Sequence, residues 1–303
     1  MTEPVRGVGA RLFVALQRVL PQHTLSGLMY RLARVRWRPL KDLLIGTFLR
    51  LYKIDMTEAA EPNAKAYVHF NAFFTRALRP DARPIDPDPQ AVVSPVDGTI
   101  SQIGRIDAGR VIQAKGRDFT VEELLGGDPE RARAFTGGTF ATIYLAPSDY
   151  HRIHMPVGGD LAWMRHIPGR LFSVNNVTAD LVPRLFARNE RVACRFETDV
   201  GAMAMVLVGA IFVGGIETVW AGEVTPARGK HRPSNAGTVP GAAGGSLRLE
   251  RGAEMGRFNL GSTVILLFEP GRVQLDETLV PGRKVRLGQR LGRPAAASEH
   301  AET

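Results

Sequence analysis

The run "VGAMAMVLVGAIFVGGI", Val200 to Ile216, decides what kind of fold this chain can adopt. It is the longest uncharged stretch, bounded by Asp199 and Glu217, and its 17 residues touch the lower limit for a membrane-spanning helix. Four glycines and many β-branched residues interrupt it, which disfavours a helix. The run predicts two buried strands around a turn.

Short apolar or alternating runs of the same kind continue from Ala91 onward. They include "AVVSPVDGTISQIGRI", "GTFATIYLA", "GDLAWMRHI", "RVACRFET" and "STVILLF", punctuated by Gly and Pro. Helical patterns there are few: Val121 to Leu125, and "TADLVPRLFA" from Thr178. Before them, "YVHFNAFFTRALRP" predicts a short aromatic helix closed by Pro80. The expected class is α+β, a β-rich core with a basic amphipathic helical N-terminal region. The expected boundaries are residues 1–60 for that region, 61–290 for the core and 291–303 for a disordered tail. The glycine-rich basic stretch Thr225 to Gly245 is expected to be a mobile loop.

The net charge of +9 is concentrated at the start. Met1 to Lys53 carries ten Lys/Arg and two acids, which is eight of the nine net charges. Such asymmetry predicts a polyanionic partner, nucleic acid or an anionic membrane. The texture favours the membrane. Leu12, Phe13, Leu16, Val19 and Leu20 recur at helical spacing, and "LSGLMYRLARVRWRPLKDLLIGTFLRLYKI" interleaves apolar residues with arginines. The competing reading is a helix pair packed on the protein's own core. No nucleic-acid motif is recognisable, and the apolar residues are too interrupted for a secretory signal. Cys194 is the single cysteine, so no intrachain disulfide or Cys-based zinc site exists. Its strand-like surroundings predict a buried small hydrophobe, and a reducing compartment fits.

Three places set reactive side chains beside turn residues. In "SPVDGT", Asp97 precedes Gly98, which alone reads as an Asp-Gly turn. In "APSDYHRIHMPVGG", His151 and His154 follow a strand; two imidazoles seldom complete a metal site, so none is expected. They suit proton transfer instead. In "GRFNLGSTVILLFEPG", Ser262 sits between Gly261 and a buried strand. A turn is the plain reading; a nucleophile served by a histidine and an acid is the sharper one. No GxSxG elbow is present.

Taken together, "FNAFFTRALRP", "SPVDGTISQIG", "YHRIHMPVGG", "PGRLFSVN", "LFARNERV", "VGGIETVWAGEVTP" and "EMGRFNLGSTVILLFEPG" closely resemble phosphatidylserine decarboxylase proenzymes of the bacterial and mitochondrial type. The resemblance implies a zymogen that cuts its own Gly261–Ser262 bond. It implies Asp97, His154 and Ser262 as the cleavage triad, and a covalent pyruvoyl group derived from Ser262 as cofactor. It implies His151 as a proton donor in decarboxylation. The β-chain would be Met1–Gly261 and the α-chain Ser262–Thr303, 42 residues. The implied partner is phosphatidylserine in an anionic membrane, at the cytoplasmic side of the cell membrane, and a homodimer is admitted. The residue types fit: β-elimination needs a heteroatom on Cβ, which serine has, and the keto group then acts as an electron sink as pyridoxal phosphate does. Two rivals stay open on sequence, a Ser/His/Asp lipid hydrolase and a non-enzymatic membrane-binding protein.

Overall fold

The computed structural model describes residues 7–212, 215–225 and 247–296. Three helices lead the chain, α1 (Val8–Val19), α2 (Gln22–Leu32) and α3 (Arg38–Tyr52), followed by the single turn and a half of α4 (Phe70–Phe74). Thereafter strands dominate. An antiparallel eight-stranded sheet has the order Arg248–Leu249, Gly159–Ile167, Arg191–Thr198, Gly201–Val208, Thr263–Phe268, Thr139–Tyr144, Gly98–Arg105, Lys284–Val285. A four-stranded sheet orders Gly222–Thr225, Gly215–Thr218, Glu254–Asn259 and Arg152–His154. The α+β expectation is met.

The run from Val200 to Ile216 does become two strands, Gly201–Val208 and Gly215–Thr218. They do not form a hairpin: one lies in the large sheet and the other in the four-stranded sheet. The central strand Thr263–Phe268 is buried at every residue. Val264, Leu266 and Phe268 enter one core with Ile153, Met255 and Phe258. Ile265 and Leu267 enter a second core with Phe119, Phe135 and Phe186. Side chains alternate faces along a strand, so only a strand covered on both faces can be apolar throughout. Cys194 is fully buried in the first core, and burial pushes its thiol pKa up.

The N-terminal helices pack on the protein's own core, as one of the two readings expected. They are clamped to the core by two buried glutamines. Gln17 Nε2 donates to Ser173 Oγ at 2.9 Å, while its Oε1 accepts from Ser173 N at 2.8 Å. Gln22 Oε1 accepts from Leu171 N at 2.9 Å and its Nε2 donates to the Gln17 carbonyl at 2.7 Å. Helix α3 packs Phe48 edge-on against Phe70, Phe73 and Phe74. Yet the apolar stripe of α1 faces outward: Leu12 is 68% exposed and Val19 78%. Trp37, Leu43 and Leu51 extend that exposed set. Among the described residues no helix is long and apolar enough to cross a membrane.

Three expectations need correction. The helix foreseen from Thr178 is two, Asn176–Leu181 and Leu185–Arg188, split around Pro183, which cannot continue a helix. The aromatic helix before Pro80 already ends at Phe74, where the Thr75 hydroxyl bonds back to the Asn71 carbonyl at 2.9 Å. The tail expected from residue 291 does not begin there, because Arg290–Pro294 is a strand between Val92–Val93 and Val273–Leu275. Leu291 is fully buried there. The rest of that tail, and the loop expected up to Gly245 from residue 226, lie outside the described residues.

Candidate active site

A cavity of about 790 Å³ opens beneath the N-terminal helices. Its walls are apolar, with Leu16 from α1, Leu20 just after that helix, Leu44 and Phe48 from α3, and Phe74 from α4. Gly261, Ser262 and His151 also line it. A predominantly apolar cavity with a few convergent polar groups is the usual form of a ligand site.

The backbone around that bond is under constraint. Leu260 has φ +74°, a left-handed conformation that costs a non-glycine residue roughly 1–3 kcal/mol. Gly261 is needed for a different reason, space. A β-carbon there would lie 2.0 Å from His151 Cδ2 and 2.6 Å from Nε2. Ser262 is 2% exposed, and among the described residues its Oγ hydrogen-bonds the Thr263 hydroxyl, at 3.3 Å. Its carbonyl accepts from Leu145 N at 2.8 Å, and Thr263 pairs with both Tyr144 and Val208. The turn at Gly261–Ser262 is therefore short, and the sheet fixes one end of it.

His151 is 1% exposed, with its ring 4.1 Å from the Phe74 ring. Its Nδ1 lies 2.7 Å from the Asp149 carbonyl. A carbonyl only accepts, so Nδ1 carries the proton and Nε2 presents a lone pair beside Gly261. Burial pushes this imidazole down to about 3 and keeps it neutral.

His154 has other partners. Its Nδ1 donates to the Gly252 carbonyl at 2.8 Å, and its Nε2 accepts from the Tyr150 hydroxyl at 3.2 Å. Burial lowers its pKa as well. Asp97 is gripped by Arg83, with Nε at 2.9 and 3.0 Å and a terminal nitrogen at 2.6 Å. It also accepts from Leu287 N at 2.8 Å. Among the described residues, no hydrogen bond joins Asp97 to His154 or His154 to Ser262. The three residues that the resemblance implies as a triad are thus not joined by hydrogen bonds in this structure. The cause is spacing: residues three apart on near-extended backbone point to opposite faces. His151 thus reaches Gly261, while His154 turns to Gly252. His154 does stay near Asp97, since its backbone N–H donates to the Pro95 carbonyl at 2.9 Å.

Arg83 was not foreseen. It lies in "DARPIDPDPQ", which reads as a proline loop, and no pattern there marks it. It also binds Glu58 at 2.8 Å. Asp149, whose carboxyl burial pushes up, was hidden within the histidine motif.

Comparison with known proteins places this geometry. A family model described as phosphatidylserine decarboxylase matches residues 70–293, and a second, described as PSD, matches residues 12–53. The chain belongs to the phosphatidylserine decarboxylase family. It is 56% identical over 295 residues to the phosphatidylserine decarboxylase proenzyme of Stutzerimonas stutzeri, covering 96% of this chain and 98% of that one. It is 55% identical over 289 residues to the proenzyme so named from Bordetella pertussis, covering 95% and 96%. Against the proenzyme from Pseudomonas putida KT2440 it is 53% identical over 291 residues, covering 95% and 99%. The first family match spans Asp97, both histidines and Ser262. The second spans most of α1 through α3, the helices that roof the cavity, so the two matched segments meet around that cavity.

Proposed function

We propose that this chain decarboxylates phosphatidylserine to phosphatidylethanolamine, using a pyruvoyl group that it makes from Ser262 by cutting its own Gly261–Ser262 bond. The observation that carries this reading is the placement of that bond on an apolar cavity, beside a strained Leu260 and a neutral imidazole. Ser262 Oγ attacks the Gly261 carbonyl carbon, turning the amide into an ester. Removal of the Ser262 α-proton then expels the Gly261 carboxylate. The dehydroalanine left behind takes up water and releases ammonia. The residues fit the group: Ser262 supplies the Cβ oxygen, and pairing of Thr263 holds the new terminus in place. Once formed, the keto carbonyl supplies an electron sink for loss of CO2 from an amino acid headgroup.

We assign His154, beside Asp97, as the base for the Ser262 hydroxyl, and His151 as the proton mover for the decarboxylated carbon. The packing of His151 on Gly261 favours a second assignment, in which His151 takes the Ser262 proton itself. The outward apolar and basic faces of the helices suit a protein that rests on the cytoplasmic face of the cell membrane while lipid enters the cavity. Helical region, catalytic core and tail remain the proposed division of the chain, and the homodimer a proposed assembly.

Intact-mass analysis tests all of this. The wild type should give two fragments, the smaller with a blocked terminus, and should release CO2 from phosphatidylserine. Ser262→Ala should give one 33.1-kDa chain. A chain that stays whole in the wild type while hydrolysing lipid would favour a hydrolase. His154→Ala uncut with His151→Ala cut but inactive supports the first histidine assignment; the reverse cutting pattern supports the second.

A further inference from the structure

We propose that Arg18, Arg170 and Arg188 form a cationic clamp that docks the protein on an anionic bilayer beside the cavity mouth. The inference rests on the proposed membrane-resident substrate but concerns surface outside the catalytic residues, two of its three arginines belonging to the core. Arg170 and Arg188 hold their guanidinium carbons 5.7 and 5.3 Å from the centroid of one ring, Phe172. That ring is 1% exposed, so it anchors both cations in place. Arg170 also donates to the backbone carbonyl of Arg18 at 2.7 Å, tying α1 to the patch.

All three arginines are exposed, and among the described residues none of them pairs with a carboxylate. The charged groups facing Arg188 are Arg18, Arg184 and Arg170, and of these Arg184 is engaged by Glu123. Burial and the surrounding like charge push the Arg188 pKa down. A cluster of guanidinium groups without counter-charge is a site waiting for an anion, since each presents a planar fork of donors suited to phosphate. The neighbours choose the anion. Val19, next to Arg18 in the helix, is 78% exposed, and Leu16, one turn before Val19, is 53% exposed. Ser173 and Val174, which follow Phe172, line the cavity. Apolar residues beside cations at a cavity mouth match a bilayer interface, where acyl chains and anionic headgroups lie together. A nucleic acid or a soluble anion would leave the apolar residues without a role.

The test is cosedimentation of the full-length protein with vesicles of phosphatidylcholine alone or containing phosphatidylglycerol, an anionic lipid that lacks the reactive amine. Binding is thereby read without catalysis, so its failure is distinct from failure of the decarboxylase reading. For Arg170→Gln/Arg188→Gln, affinity for the phosphatidylglycerol vesicles should fall about thirtyfold, roughly fivefold per cation, and its salt dependence should weaken. Binding to phosphatidylcholine should be unchanged, and retained self-cleavage should report an intact fold. Arg170→Lys/Arg188→Lys should restore most of the affinity. Wild-type affinity in the glutamine variant, or equal losses on both vesicle types, overturns the proposal. So does full displacement from vesicles by inorganic phosphate at constant ionic strength, which would mark a soluble-anion site only.

Discussion

The imidazole of His151 occupies the space where any side chain at position 261 would have to be. A β-carbon on Gly261 would come within 2.0 Å of its Cδ2, inside any tolerable contact. The ring cannot retreat easily, since Phe74 and the Asp149 carbonyl hold it from the other sides.

Gly261→Ala should therefore disturb the scissile bond more than it disturbs the fold. Overpacking of this kind costs about 1–3 kcal/mol. Displacing His151 or the turn should slow self-cleavage by at least about tenfold, the rate equivalent of 1.4 kcal/mol. A time course of the 42-residue fragment on a gel measures it. Cleavage at the wild-type rate would show that the contact is dispensable.

The neutral state of His151 gives stability a pH dependence of known sign. In the folded chain its pKa is about 3, whereas an unfolded chain has the ordinary value of 6.5. Between those values only the unfolded state gains the proton. Stability is thus fully present above pH 6.5 and falls as pH drops toward 3, by up to about 1.4 kcal/mol per unit. Burial of His154 acts in the same direction. Urea titrations of the Ser262→Ala chain at pH 7, 6, 5 and 4 should show this slope, and adding His151→Gln should flatten it by about one proton. An unaltered slope in the double variant would refute the assignment to His151.

Arg83 should matter as much to Asp97 as any catalytic partner. Both side chains are nearly buried, at 9% and 10% exposure. Arg83→Gln leaves a buried carboxylate with only the Leu287 amide, at a cost of about 3 kcal/mol. Lysine cannot reproduce the two-pronged contact and should recover only part of the loss. Thermal unfolding in the Ser262→Ala background measures both; a loss below about 1 kcal/mol for the glutamine variant would contradict the role.

Much of this site was legible because turns and strands leave local marks. The Gly-Ser pair before "TVILLF" reads as a chain entering a buried strand, and that is where the structure puts it. The outward-facing stripe on α1 is visible as spacing of Leu12, Leu16 and Val19. Contacts across the chain left no such mark. Gln17 and Gln22 look like interruptions in an amphipathic helix, yet they are its attachment to Leu171 and Ser173, about 150 residues away. The grip of Arg83 on Asp97 was equally silent. The partition of His151 and His154 to different partners followed from a strand period of two, which the motif alone did not reveal, because it does not say where the strand begins.

On the proposed cut, the central strand Thr263–Phe268 would belong to the short C-terminal piece, while the strands bonded along both its edges would belong to the long one. Before cutting, the protein can refold as one chain. After the proposed cut the same sheet would have to be rebuilt from two separate molecules, and the linkage between them could not be restored because the serine would have been consumed. Maturation therefore changes the molecularity of refolding. An unfolded mature enzyme would recover only at a rate set by its own concentration, and its useful lifetime rests on how slowly that strand is ever let go.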